Sequence, residues 1–156
     1  MFISIGIIIF LLAAFAPASG MADDTAILPA NYCNWEVVDY AIEKPLCGLS
    51  GDARRGKIIV SDGHLGNCLA CHQLPIQGIE AYGTIGPSLQ GIASRFTEAQ
   101  IRIRIIDTRN INPMSIMPGF YRDPRLINRP GKLYRGKTFL TAQQVEDVIA
   151  YLVTLK

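Results

Sequence analysis

The chain has 156 residues and a formal net charge of +2, a length that suits one ordinary domain and leaves little room for two. Hydrophobic residues make up 49% of the sequence and charged residues 18%, a balance that excludes an intrinsically disordered chain. The excess of basic residues is too small to indicate nucleic-acid binding, so we expect no nucleic-acid partner.

An uncharged apolar segment begins the chain. Residues 4–15 are almost all hydrophobic, and residues 1–22 contain no charged side chain. The apolar run is shorter than the ~20 residues that span a membrane, and the small residues after it are typical of a secretory signal peptide. We predict a signal peptide over residues 1–22, cleaved after Ala22 or, as a second choice, after Ala18. The mature chain would then lie in the periplasm without stable membrane insertion; an uncleaved anchor is the alternative.

An acidic segment follows the predicted signal peptide. Between residue 23 and Asp52 there are six acidic residues and one basic residue. We treat residues 23–48 as a short N-terminal extension and residues 49–156 as one domain. Asp52 is a suitable N-cap for the first helix of that domain, which we expect to end near Gly63.

The later elements are also predicted as helices and loops. Residues 67–72 favour a helical turn, and the glycines of residues 75–87 indicate a loop. Thr97 with Gln100 makes a capping box for a helix that reaches Asp107. Four prolines in residues 110–136 exclude a regular element there.

The last predicted element is a helix that begins after Thr141. Thr141 and Gln144 form a second capping box, and apolar residues from Val145 to Leu155 recur at helical spacing. Gly56 and Tyr151 could let the first and last helices cross closely. No alternating strand pattern dominates, so we predict an all-α domain.

The motif that carries chemistry is Cys68-Leu-Ala-Cys71-His72. In an exported protein, C-x-x-C-H is typical of covalent c-type haem attachment. The two thiols can form thioethers with the two vinyl groups on one edge of the porphyrin, and the next imidazole then reaches the iron. A zinc site would need a second suitably spaced cysteine pair, and a redox dithiol a βαβ context. The motif occurs once, so we predict one haem.

An electron-transfer haem also needs a distal ligand. The only methionines after the predicted signal peptide are Met114 and Met117, both in a loop rich in proline and glycine. His/Met ligation raises the reduction potential of a haem, and Pro118 restricts the loop beside Met117, so we choose Met117. Met114 is the second choice, and a lysine ligand is left open. His64 lies on the attachment side, and we expect it to be an exposed loop histidine.

Two further features complete the predicted site. The carbonyl of Pro87, or the turn around it, could accept the Nδ1–H of His72 and so orient the ring. Cys33 and Cys47 are the thiols left once haem takes its pair, and in an exported chain they most simply form a disulfide. Such a bond would stabilise the fold by roughly 3 kcal/mol. A redox-active or sulfur-carrying thiol is the alternative.

The order of these motifs resembles class I cytochromes c: a helix, CxxCH, GPxL, a Met-Pro loop and a C-terminal amphipathic helix. Residues 49–156 are further similar to the SoxX family, the mono-haem subunits of the SoxAX cytochromes of thiosulfate oxidation. The more specific similarities are MPGFY at residues 117–121 and RGKTFLTAQQ at residues 135–144.

The resemblance implies an all-α class I cytochrome c fold around one covalently bound haem c. It implies that Cys68 and Cys71 bind haem and that His72 and Met117 ligate the iron. The extension lies outside the part that resembles the family, so no role is implied for it.

The resemblance also implies a function. The chain would accept electrons when a di-haem SoxA-like partner couples thiosulfate to a cysteine of a sulfur-carrier protein, the reaction of an L-cysteine S-thiosulfotransferase complex. This chain alone would be an electron carrier that passes electrons to a small downstream cytochrome c. A free-standing periplasmic electron shuttle is the alternative.

The charges are unevenly distributed along the domain. From Arg95 to Lys137 there are ten basic and three acidic residues, a net +7. Part of this charge could neutralise haem propionates, and part could attract an acidic partner or an anionic substrate such as thiosulfate. A merely solvated surface is the alternative.

Overall fold

The computed structural model describes residues 31–156, so the predicted signal peptide and its cleavage sites lie outside the described residues. Within them, the domain is helical, and no strand is present apart from one isolated bridge between Val38 and Ala41. The predicted all-α class is confirmed. No helix in residues 31–156 is long and apolar enough to cross a membrane. The four α-helices are α1 (Ala53–Ser61), α2 (Ile92–Arg95), α3 (Glu98–Asp107) and α4 (Ala142–Leu152).

The three longer helices begin at the residues that the sequence predicted. The Asp52 carboxylate accepts hydrogen bonds from the backbone N–H groups at the start of α1. Thr97 and Thr141 form complete capping boxes at the starts of α3 and α4. These caps satisfy N–H groups that have no partner within the helix, which explains why short helices have such definite starts.

Close packing of α1 against α4 forms the frame of the domain. A Cβ at Gly56 would overlap the backbone oxygen of Asp147 and lie 2.8 Å from the Cβ of Tyr151. Glycine therefore allows the two helices to approach, as predicted. Arg55 on α1 forms a two-pronged ion pair with Asp147 on α4, with N–O distances of 2.8 and 2.9 Å. Asp147 also accepts the backbone N–H of Asp52 at 2.8 Å.

The proline-containing segment differs from the prediction. Residues 110–136 were expected to hold no regular element, but they contain short 3-10 turns at Pro124–Leu126 and Lys132–Tyr134. Pro124 occupies the first turn, where its missing N–H costs nothing, and the Asp123 side chain caps that turn. The four-residue helix α2 was also not predicted, because it is too short to show a periodic pattern.

The described part of the extension, residues 31–48, packs onto the domain. Cys33, Ile42 and Leu46 are each no more than 6% exposed and belong to the same apolar core as α3 and α4. Cys33 and Cys47 are joined by the predicted disulfide. We call residues 32–47 the strap. The strap contacts α3 and α4, so its hydrogen bonds join residues that lie far apart in sequence.

A buried arginine holds the strap against the helices. Arg102 on α3 is 1% exposed and its guanidinium donates to both carboxylate oxygens of Glu146 on α4. Its Nη1 also donates to the backbone oxygen of Ile42 at 3.0 Å, and Glu146 accepts the backbone N–H of Leu46 at 2.9 Å. Burial alone would lower the pKa of Arg102, but Glu146 and Glu98 outweigh it and raise that pKa. Arg102 therefore keeps its charge in this buried position, beside Glu146 and Glu98.

Candidate functional site

The attachment motif lies on a tight turn that follows α1. Asn67 adopts a left-handed conformation with φ of 47°, and Cys68–Ala70 form a 3-10 turn. The backbone N–H of His72 donates to the oxygen of Cys68 at 2.9 Å. Cys68 and Cys71 are both outside any disulfide, and both line one cavity. Burial raises the pKa of the Cys68 thiol to about 12.

The His72 ring is held by the Gly86-Pro87 turn, which follows it along the chain. Its Nδ1 lies 2.6 Å from the carbonyl oxygen of Pro87, and a carbonyl can only accept, so Nδ1 carries the proton. A Cβ at Gly86 would lie 2.7 Å from the ring Nε2 and closer still to Cε1 and Nδ1. Glycine is required for this approach. The predicted contact between His72 and Pro87 is present, and it leaves Nε2 as the ring nitrogen that is not engaged by Pro87.

Two cavities meet at the residues that the sequence selected. The first has a volume of about 530 Å³ and the second about 410 Å³. Cys68, His72 and Met117 line both of them. The first cavity is also lined by Cys71, Gly86 and the apolar side chains Ile85, Phe120 and Leu133. Together the cavities make an apolar crevice, bounded by the attachment turn (residues 67–72) on one side and the methionine loop (residues 112–121) on another.

The two candidate methionines lie in different environments. Met117 packs against the core and lines both cavities, whereas Met114 is 85% exposed and lines neither. His64 is exposed, as expected, at the rim of the first cavity. This placement favours Met117 as the distal ligand, and the assignment stays a prediction.

Sequence reasoning did not single out Arg104 and Phe96. Both line the second cavity, and the guanidinium carbon of Arg104 lies 3.9 Å from the centroid of the Phe96 ring. Among residues 31–156 no carboxylate pairs with Arg104, and burial lowers its pKa. An arginine without an anionic partner at an apolar cavity suits a bound group that carries carboxylates. The available signal was the second arginine of the IRIRII run, which breaks the apolar pattern of α3.

The basic stretch is less available than its sequence suggests. Four of its ten basic residues form ion pairs with acidic residues of this chain, and these four are therefore less available to a partner protein. These are Arg102, Arg109, Arg122 and Arg125, and their partners are Glu98, Glu146, Asp107 and Asp123. Three of these acidic partners are already subtracted in the net +7, and only Glu146 lies outside the stretch. Within residues 31–156, the basic residues of the stretch that form no ion pair are Arg95, Arg104, Arg129, Lys132, Arg135 and Lys137.

The residue set fits a covalently attached haem. The crevice supplies two thiols on one turn, an imidazole whose Nε2 is not engaged by Pro87, a thioether from Met117 and an arginine that pairs with no carboxylate of residues 31–156. Cysteine thiols form the thioether links of c-type haem attachment, and imidazole and the methionine sulfur are common ligands of haem iron. Exposed apolar side chains surround the entrance, including Ile85, Ile116 and Leu133, which are 69%, 81% and 80% exposed.

Comparisons with known proteins agree with the interpretation of this crevice as a haem site. The family model described as cytochrome c matches residues 53–156. A "Cytochrome c-553-like" protein of Synechocystis sp. (strain ATCC 27184 / PCC 6803 / Kazusa) is 31% identical over 107 residues, which cover 69% of this chain and 72% of that protein. A chain of the crystal structure of SoxXA from P. pantotrophus is 39% identical with a TM-score of 0.71, covering 78% of this chain and 94% of that chain.

Proposed function

Since the chain belongs to the cytochrome c family, we propose that it is the mono-haem electron-transfer subunit of a SoxAX-type complex in thiosulfate oxidation. It is a SoxX-like cytochrome with a class I cytochrome c fold and covalently bound haem c. The fold and the cofactor expected from the sequence are thereby confirmed.

Specific residues of the chain would hold the haem. Cys68 and Cys71 would form the thioethers, and His72 would ligate the iron through Nε2 while Pro87 holds its Nδ1 side. Met117 would supply the second ligand to the iron. When bound, the haem supplies a one-electron couple whose potential rises with His/Met ligation.

Two further features of the chain support transfer at this crevice. The apolar lining excludes water from the ligands, which favours the less charged state of the iron and adds to the effect of the methionine. Arg104 offers its guanidinium to the carboxylates of the haem, because it has no carboxylate partner among residues 31–156.

The likeness to the SoxXA chain carries the proposal of a partner, because it covers 94% of that chain at 39% identity. The partner is a SoxA-like di-haem subunit, where thiosulfate is coupled oxidatively to a cysteine of a sulfur-carrier protein. That coupling releases two electrons and one haem accepts one at a time, so the chain transfers them singly to a small soluble cytochrome c. The complex is of the L-cysteine S-thiosulfotransferase type, and this chain is its electron carrier.

The ligand assignment is tested by substituting the two methionines separately. Met117→Ala should abolish the methionine–iron charge-transfer band of the oxidised protein and lower the potential by on the order of 0.1 V, within the range that axial ligands set. Met114→Ala should change neither, because its side chain is 85% exposed. Survival of the band in Met117→Ala with its loss in Met114→Ala would reverse the assignment.

The partner is tested by recovering the tagged chain from native periplasm and measuring intact masses. A stoichiometric second cytochrome carrying additional haem supports the SoxAX-type complex. Recovery of a lone chain with one haem supports the free electron shuttle instead. The same mass shows whether residues 1–22 have been removed, as periplasmic export through a signal peptide requires.

A further inference from the structure

The strap contacts the methionine loop through Tyr121, a tyrosine that is 2% exposed. The backbone N–H of Cys33 donates to the Tyr121 hydroxyl at 2.8 Å. The ring of Tyr32 stacks on the ring of Tyr121 with centroids 5.0 Å apart and planes within 5°. The two segments are 88 residues apart in sequence, so the contact depends on the fold.

Tyr121 ends the segment that carries Met117. Its backbone N–H donates to Ile106 and that of Phe120 donates to Ile105, both at 3.1 Å, which fixes the end of the loop on α3. In contrast, the hydrogen bonds made by the N–H groups of residues 113–118 stay within residues 112–117. Near Met117, therefore, no backbone N–H of the loop is hydrogen-bonded to another element, and the hydrogen bonds that fix the loop to α3 lie at its end.

The strap itself is held at several points. The Cys33–Cys47 disulfide closes it, and the backbone N–H of Ile42 donates to the oxygen of Ala99 on α3 at 3.1 Å. The Arg102 guanidinium donates to the backbone oxygen of Ile42, and the Glu146 carboxylate accepts the backbone N–H of Leu46. Because the strap is fixed to α3 and α4, its hydrogen bond and stack hold Tyr121 against a rigid surface.

We propose that Tyr121 is a positioning residue for the distal ligand, and that the strap acts through it to keep the Met117 sulfur at the iron. This inference rests on the proposed ligation by Met117. Groups that orient a ligand tune metal sites although they do not touch the metal. The strap thus has a role in haem ligation and is more than a cover over the core.

Tyr121→Phe in the full-length holoprotein tests the hydrogen bond while keeping the ring stack. The measurement is the dissociation constant of imidazole, which replaces the methionine and removes the charge-transfer band. Loss of one hydrogen bond should make imidazole bind about threefold to tenfold more tightly. Tyr151→Phe is the matched control, because the Tyr151 hydroxyl has no hydrogen bond within residues 31–156 and lies on α4; it should leave the constant unchanged.

The disulfide provides a second variant on the same path. The double substitution Cys33→Ala/Cys47→Ala should also tighten imidazole binding, and adding Tyr121→Phe should give less than the product of the two effects. A purely structural role would lower the unfolding midpoint of Tyr121→Phe and leave the imidazole constant unchanged, and that result would overturn the inference.

Failure of this inference differs from failure of the ligand assignment. If Met117→Ala leaves the charge-transfer band in place, the assignment of the distal ligand is wrong, and the inference fails with it. If Met117→Ala removes the band but Tyr121→Phe and the cysteine variant bind imidazole as the wild type does, the assignment stands and only the positioning role of Tyr121 is wrong.

Discussion

The two sides of the haem crevice are built in different ways. On the attachment side, every residue that holds the proximal imidazole lies within residues 68–87: the thiols, His72, and the Gly86-Pro87 turn that packs on its ring. On the distal side, the hydrogen bonds around Met117 stay within its own loop and join it to no other element. Its loop is fixed to α3 at Phe120 and Tyr121, and Tyr121 is fixed in turn to Cys33.

This difference predicts which substitutions should disturb each side of the crevice. The attachment side should respond to changes of volume close to His72, because its geometry is local and tightly packed. The distal side should respond to changes far from the iron, because its geometry depends on contacts between distant segments. Substitutions can therefore separate damage to one side from damage to the other.

The largest effect is expected from Glu146→Ala, which breaks the ion pair under the strap. Arg102 and Glu146 are 1% and 3% exposed, and removing one partner of a buried pair costs about 3–5 kcal/mol of unfolding free energy. Leu46 also loses the acceptor of its backbone N–H. In guanidinium titrations of the holoprotein, the methionine–iron band should disappear at lower denaturant than the helical signal.

The control is Glu43→Ala, in a strap residue whose side chain is exposed. It should change the unfolding free energy by about 0.5 kcal/mol or less. Equal losses in both variants would show that the charge pair does not secure the strap.

A smaller effect is expected from removing the strap disulfide. Cys33→Ala/Cys47→Ala opens a loop with a sequence separation of 14, and the chain-entropy model gives a loss of about 3 kcal/mol for a loop of this size. Thermal unfolding of the oxidised holoprotein measures the loss. The proximal side should be unaffected in the native state, so the haem content per chain should equal that of the wild type. A reduced haem content would contradict the separation of the two sides.

Gly86→Ala tests the attachment side. The new Cβ would overlap the His72 ring, and overpacking of this kind costs about 1–3 kcal/mol. We expect the haem-loaded fraction to fall by about tenfold, measured from absorbance per mole of protein. Gly63→Ala is the matched control in the same region, because the nearest atom to its Cβ would be Asn67 Oδ1 at 4.0 Å. If Gly86→Ala loads haem normally and loses only the methionine–iron band, the local account of the attachment side is wrong.

The same contrast explains what the sequence could reveal. The capping boxes at Thr97 and Thr141 and the contact between His72 and Pro87 depend on residues close together in the chain, and they were predicted correctly. The covalent haem predicted from the CxxCH motif is confirmed, and the roles of Cys68, Cys71 and His72 stay predictions. The stack of Tyr32 on Tyr121 could not be predicted, because it joins two residues that are distant in sequence. For the same reason, Arg102 looked like part of a basic surface, whereas the fold buries it against Glu146.

The smallest effect concerns acid and the α1–α4 frame that carries the attachment turn. Burial acts to raise the pKa of Asp147, but hydrogen bonds from Arg55, the Asp52 backbone and Gln143 outweigh burial and hold that pKa below its ordinary value of 3.8. The folded state therefore releases this proton more readily than the unfolded state. The stabilisation is complete above the ordinary pKa and is lost as pH falls towards the folded pKa.

Asp147→Asn should remove this part of the pH dependence. The difference in unfolding free energy between wild type and variant, measured by denaturant titration, should shrink between about pH 5 and about pH 2. Arg55→Gln should reduce the same dependence by a smaller amount, because the Asp52 N–H and Gln143 still bind the carboxylate. Glu146→Ala should retain the acid dependence due to Asp147. The interactions that it removes are those with Arg102 and Leu46, and the Arg55–Asp147 pair stays intact. A difference that is constant with pH in Asp147→Asn would show that the carboxylate is not held by its charge, and that α1 and α4 are joined by packing at Gly56 alone.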